Sequence, residues 1–241
     1  MKTKTFAALC CVAALFAACE KNEVLLQTSV SGNENGHNYV DLGLSVKWAT
    51  CNVDDTAPEG YGKCLAWGET KSKLSYYSDT YKWMYKEIDT VKRDTTWTYY
   101  TTLVKYCTLA EYGQNDFTDG KVVLDSEDDA ATVLWGDKWR MPTDEEWTEL
   151  RTKCTWKWRT VNGIQGYMVR SKINNNCIFL PAAGFSGKND EYGLGTDGYY
   201  WSSSLHTEKP SYAWGVHFNS DHALRGSAPR YYGRSIRAVM K

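Results

Sequence analysis

The chain has 241 residues, with 28 Lys plus Arg against 29 Asp plus Glu and a formal net charge of −1 at pH 7. That balance supplies no field to hold a polyanion, which excludes nucleic acid and anionic membrane surfaces as charge-driven partners. After the N-terminal segment no run approaches 18 apolar residues, so no helical membrane-spanning body is expected.

The chain opens MKTKTFAALCCVAALFAACEKNE. Lys2 and Lys4 precede an uncharged apolar run, Phe6 to Ala18, that is too short to span a bilayer and has the layout of an export signal. It ends Leu15-Phe16-Ala17-Ala18-Cys19, which looks like a bacterial lipobox. The expectation is a lipoprotein signal peptide over 1–18 and an acylated Cys19 as the new N-terminus. Each buried acyl CH2 contributes about 0.8 kcal/mol, so several chains hold a protein firmly to a membrane. The alternative is an ordinary cut near Ala18 that releases a soluble periplasmic protein. Glu20-Lys21-Asn22-Glu23 resembles the acidic signals that send some Gram-negative lipoproteins to the cell surface. Residues 19–36, polar and ending Ser31-Gly32-Asn33-Glu34-Asn35-Gly36, are expected to be a tether. By length, residues 37–241 form a single domain.

Of the 8 cysteines, Cys10 and Cys11 leave with the signal and Cys19 is lipidated. Cys51, Cys64, Cys107, Cys154 and Cys177 remain, with no CxxC and no zinc spacing. An odd set leaves at least one thiol free, and buried inert thiols are the expectation.

Along the domain, Tyr39–Leu42 and Val46–Ala49 read as short strands around Gly43, and Cys64–Trp67 as another. Residues 71–118 carry Tyr76, Tyr77, Tyr81, Trp83, Tyr85, Trp97, Tyr99 and Tyr100 among lysines, and read as an inserted β-ribbon. Its rings either pack the insertion onto the core or stack on a ligand. Glu127 to Trp135, capped by Ser126 or Asp125 and stopped at Gly136, is expected to be a helix. Thr143 with Glu146 three residues on has capping-box spacing, so Asp144, Glu145 and Glu146 are the acidic first turn of a second helix rather than catalytic carboxylates. Its buried face is Trp147, Leu150 and Cys154. Strands follow at Trp156–Arg159, Tyr167–Ser171, Cys177–Leu180, Tyr199–Ser204, Tyr212–Phe218 and Gly233–Val239, with an Asn162-Gly163 hairpin turn. Gly184 to Gly198 reads as a glycine-rich loop. Short strands, two adjacent helices, then many antiparallel strands make an α+β fold.

Several motifs carry a resemblance. WRMPTDEEW (139–147) resembles a helix of the formylglycine-generating, sulfatase-modifying enzymes, a variant of the C-type lectin fold. YVDLGLSVKWATCNV, LAWGET, DDAATVLWGDKWRMPTDEEWTEL, IFLPAAG, GYYWSSSL and GRSIRAV look more closely like the Fibrobacter succinogenes major paralogous domain family, common in lipoproteins of gut Gram-negative bacteria. The likeness covers roughly 37–240 apart from the insertion. It implies a C-type-lectin-like α+β fold with two adjacent helices packed on short antiparallel sheets.

The same resemblance bears on chemistry. The reactive C-terminal cysteines of the sulfatase-modifying enzymes have no counterpart, since no cysteine follows Cys177. The calcium motifs of sugar-binding lectins are reduced to Glu208-Lys209-Pro210, and Asp125, Glu127, Asp128 and Asp129 lack the EF-hand glycine and spacing. No metal, no other cofactor and no catalytic residue is therefore expected. In lectin-like folds the ligand face is built from C-terminal strands and loops, which here implies the Asn219–Arg230 stretch. Asn219, Asp221, His222, Arg225 and Arg230 offer hydrogen bonds there, and Tyr231 and Tyr232 offer stacking faces. His206 and Glu208 form a second candidate loop, and His217, inside a strand, reads as structural. The expected function is a non-enzymatic lipoprotein, lipid-anchored on the outer membrane and facing outward, that binds an extracellular glycan, protein or phage component and no nucleic acid. An accessory or tip subunit of a surface appendage is the alternative, and a sulfatase-modifying type of enzyme a remoter one.

Overall fold

The protein is described here from a computed structural model, in which residues 30–88 and 99–241 are described. The leader, Cys19 and Trp97 lie outside them. In chain order the elements are β1 (Gly32–Glu34), β2 (His37–Val40), β3 (Lys47–Ala49), β4 (Met84–Ile88), β5 (Tyr99–Leu103), α1 (Ala130–Trp135), β6 (Trp139–Arg140), α2 (Asp144–Lys153), β7 (Cys154–Val161) and β8 (Ile164–Ser171). Then come β9 (Cys177–Pro181), β10 (Ala183–Gly187), β11 (Asp190–Leu194), β12 (Gly198–Leu205), β13 (Tyr212–Phe218), β14 (Ala223–Pro229), β15 (Gly233–Arg234) and β16 (Val239–Met240).

Strands dominate. One sheet, ordered β1-β2-β3-β16-β6, ties the two ends of the domain together, Val239 facing Trp48 on one side and Arg140 on the other. A second, ordered β11-β10-β12-β13-β14 with β15 on β10, is antiparallel except for the β10–β12 pair. A three-stranded meander β7-β8-β9 and the hairpin β4-β5 complete the set. Strand β12 runs between two cores, because its side chains alternate across the sheet. Trp201 and Leu205 join Trp67, Tyr106, Trp139 and Ile236 on one side; Tyr200 joins Trp48, Trp147, Leu180 and Phe218 on the other.

The expected α+β, C-type-lectin-like fold with two helices packed on short sheets is corrected to a β-rich fold. Among the described residues there are two α-helices, of 6 and 10 residues. The first starts at Ala130 rather than Glu127, and its cap is Asp129, whose Oδ1 accepts from the Ala131 and Thr132 amides at 3.0 and 3.1 Å. Asp128, ahead of that cap, is held instead by Lys82, Lys105 and Tyr106, at 3.1, 2.6 and 2.7 Å. Three stretches differ in the other direction. The expected tether contains β1, paired with β2 through an Asn35-Gly36 turn with both φ positive, 55° and 86°. The glycine-rich loop is the β10–β11 hairpin, and Ala223–Pro229 of the expected ligand loop is β14. Backbone pairing holds these, so polar and glycine-rich side chains do not betray it. The expected strand Gly233–Val239 is split, with β15 on one sheet and β16 on another.

Helix α2 shows the capping box. Thr143 Oγ1 accepts from the Glu146 amide at 3.3 Å, and Glu146 Oε2 accepts from the Thr143 amide at 2.9 Å. The same Glu146 takes a two-pronged grip from Arg140, at 2.8 and 2.5 Å. Trp147 and Leu150 are buried below it, and the Trp147 indole donates to the Trp201 carbonyl at 3.1 Å. The β7–β8 hairpin turns on Asn162 and Gly163, with φ of 47° and 82°.

Candidate functional site

The residues 219–230 do not form one surface. A turn is held by Asn219, whose Oδ1 accepts from the Asp221 and His222 amides at 3.0 and 3.3 Å, and β14 then alternates across the sheet. Arg225 falls on the α2 side. Its Nε donates to Asp144 Oδ2 at 2.7 Å, and its guanidinium lies 3.3 Å from the Trp214 ring centroid. His206 stacks on the same indole at 4.3 Å, and Glu208 is exposed beside it. Arg230 is 0 % exposed and donates to the Tyr81 hydroxyl and to the Tyr106, Pro210 and Lys105 carbonyls, at 2.9 to 3.0 Å. It clamps two segments of the insertion, at Tyr81 and at Lys105–Tyr106, to Pro210 and cannot face a ligand. Asp221 is an exposed turn residue. His222, Tyr231 and Tyr232 lie elsewhere, on the other face of the second sheet.

That face carries a run of aromatic rings, of which His222, Tyr231 and Tyr232 are ligand-binding candidates from the sequence. Register makes the run. Phe185 on β10 faces Tyr192 on β11, and the rings stack at 4.9 Å and 19°. Tyr199 on β12 faces His217 on β13, stacked at 4.3 Å and 11°. Phe185 joins the two pairs, 4.9 Å from Tyr199 and 5.2 Å from Tyr232. Tyr231 contacts Tyr232 at 5.0 Å and Tyr77 at 6.0 Å, and His222 meets His217 at 5.3 Å. Gly187 lets one of these rings approach closely: a Cβ there would meet Tyr192 at 3.2 Å.

The run is open to solvent. Tyr192 is 46 % and Tyr77 44 % exposed, and Phe185, Tyr199, His217, His222, Tyr231 and Tyr232 are all partly exposed. Polar groups border it. His217 Nε2 lies 3.1 Å from Asp197 Oδ1, and Lys188 lies over the Tyr77 ring at 5.7 Å. Burial, with Tyr232 adding to it, pushes the Tyr231 hydroxyl up to about 12, and burial followed by Asp197 raises Tyr199. Both hydroxyls therefore stay protonated at neutral pH and can donate as well as accept. The face can stack a flat or ring-shaped ligand and hydrogen-bond its edge. His217, expected to be structural, belongs to it. A strand pattern with an aromatic at each facing register position was the available signal, and it was hidden because β10 and β11 had been read as a loop.

The thiols are poor nucleophiles. Cys51, Cys107, Cys154 and Cys177 are buried, and Cys64, partly exposed at a cleft of about 310 Å³ with Ser186 and Glu191, is raised by burial. Asp125, Glu127 and Asp128 bring carboxylate oxygens within 4.8 Å of one another, a cation-like spacing. Lysines already fill it: Lys105 reaches all three, Lys121 pairs with Asp125 at 2.5 Å, and Lys82 with Asp128 at 3.1 Å.

Against known proteins, a family model described as a domain of unknown function, DUF8237, matches residues 157–239. The matched span holds every ring of the aromatic face except Tyr77. No curated protein and no solved structure matches the chain.

Proposed function

We propose that the protein is a non-enzymatic lipoprotein, anchored through Cys19 to the outer membrane and facing outward, whose β-rich domain binds an extracellular glycan on the aromatic face. The likeness to the Fibrobacter succinogenes major paralogous domain family is part of the same proposal. The observation that carries the binding reading is the continuous run of partly exposed rings from Tyr192 through Phe185 to Tyr199, His217 and Tyr232. Such rings are costly to leave in water and mark a contact surface when they gather. A sugar ring presents C–H groups to an aromatic face and hydroxyls to its edge, matching the tyrosine hydroxyls and the His217–Asp197 pair. The raised thiols and the lysine-filled acidic group favour binding over catalysis.

The test is a glycan array followed by calorimetry on the full-length protein in detergent, comparing Tyr192→Ala/Tyr232→Ala with Arg225→Ala. Loss of binding in the tyrosine pair alone, at unchanged Tm, is expected. Loss in Arg225→Ala alone would move the site to the Trp214 side of the sheet.

A further inference from the structure

Three arginines between residues 230 and 237 are buried, and they differ in one respect. Arg230 has four hydrogen bonds. Arg237 donates to Asn52 Oδ1 at 2.9 Å and to the Ala49 and Thr50 carbonyls at 3.1 and 2.7 Å. Arg234 is 6 % exposed and its side chain donates to no described residue: Nε and Nη1 are sealed and unbonded, and Nη2 is unbonded but not sealed. The ionisable groups that act on it are the Tyr199 and Tyr232 hydroxyls, not carboxylates.

Arg234 sits under the aromatic face. Its backbone is in register with Phe185, and its guanidinium lies 5.2 Å from the Tyr199 ring centroid and 4.5 Å from that of Trp201. Those rings attract the cation and offset part of its desolvation. They supply no lone pair for its N–H groups, and a buried donor left unpaired is destabilising. Burial lowers its pKa only to about 10, so it remains charged at neutral pH.

We propose that Arg234 is the anion-binding floor of this face and that the ligand is an acidic sugar, whose carboxylate accepts from Nη2, the guanidinium nitrogen that is not sealed, while its ring stacks on the tyrosines. This rests on the glycan reading above. A hydrogen bond from a guanidinium nitrogen to a carboxylate is charge-assisted and stronger than one to a neutral acceptor. The rim argues for one negative charge per sugar rather than a phosphate or polysulfate: Asp190 lies beside Tyr192, and Asp197 beside Tyr199 and His217.

The probes are oligogalacturonate and its methyl ester, which share a ring and differ in charge, with inorganic sulfate as competitor, all titrated into the full-length protein. The acid should bind at least about tenfold more tightly than the ester, as expected of a charge-assisted hydrogen bond. The Arg234 Nε–H resonance should shift with the acid and not with the ester. In Arg234→Met the preference should vanish while Tm holds or rises, since an unpaired buried charge has gone; Arg234→Lys should keep part of the preference. Equal binding of acid and ester by the unaltered protein overturns the acidic site and leaves the glycan reading standing. Competition by sulfate as strong as by the acid overturns the sugar assignment. Failure of neutral and acidic oligosaccharides alike overturns both.

Discussion

At the scale of single residues, Lys105 organises the base of the insertion. Its ammonium reaches Asp128 at 2.6 Å, Asp125 at 2.9 Å and Glu127 at 3.5 Å, and lies 5.0 Å from the Trp83 and Tyr106 rings. The acidic run at the expected start of the first helix is thus mostly a counterion group. Hydrogen bonds from Lys121 and Lys105 hold the Asp125 carboxyl down at about 2, against an ordinary 3.8. Burial would raise Asp128, but bonds from Lys105, Tyr106 and Lys82 outweigh it and leave it lowered. A carboxyl depressed in the folded state stabilises it above the unfolded pKa, and that stabilisation is lost as pH falls through the folded value. Urea midpoints should therefore drop between about pH 4 and pH 2. In Lys105→Met the drop should flatten, and stability at pH 7 should fall by about 2 kcal/mol because Asp128 loses its nearest cation. A midpoint curve with an unchanged acid limb would refute the role given to Lys105.

At the scale of elements, two of the three carboxylates of 144–146 have structural partners. Glu146 closes the cap and holds Arg140, Asp144 is gripped by Arg225, and Glu145 is exposed. Thr143→Ala should lower unfolding free energy by about 1 kcal/mol in urea titrations and leave glycan binding untouched. A loss of binding with full stability would return these carboxylates to the functional site. Elements set by local chemistry were legible: the Thr143 cap and the Asn162-Gly163 turn need only residues a few places apart. The start of α1 was not, because Asp128 answers to Lys82 and Lys105, 46 and 23 residues away. Strands β10, β11 and β14 were not either, since glycine, serine and aspartate make backbone ladders without an alternating apolar signature.

At the scale of the whole molecule, the domain places its aromatic face on one sheet while its two ends meet in another, where β16 lies between β3 and β6. The anchoring proposal makes a separate demand. Cys19→Ser should release the protein from the membrane fraction with its fold intact, because an acyl chain provides the attachment; a variant still found with outer membranes would contradict lipidation at that residue. Within the domain, the residues alone settled which segments carry strong short-range signals: a capped helix, a glycine turn, the apolar strands of the core. They also picked out Tyr231, Tyr232 and His222 as candidates. Tertiary structure decided the rest. Arg225, Arg230 and Arg234 look alike in sequence, yet one stacks on a partly buried indole, one is bonded on every nitrogen, and one is buried with no side-chain acceptor among the described residues. The physical reason is that a side chain's role follows from the face on which strand register places it and from the acceptors that distant segments bring there. A one-residue change of register reverses the face, and no local pattern records the acceptors.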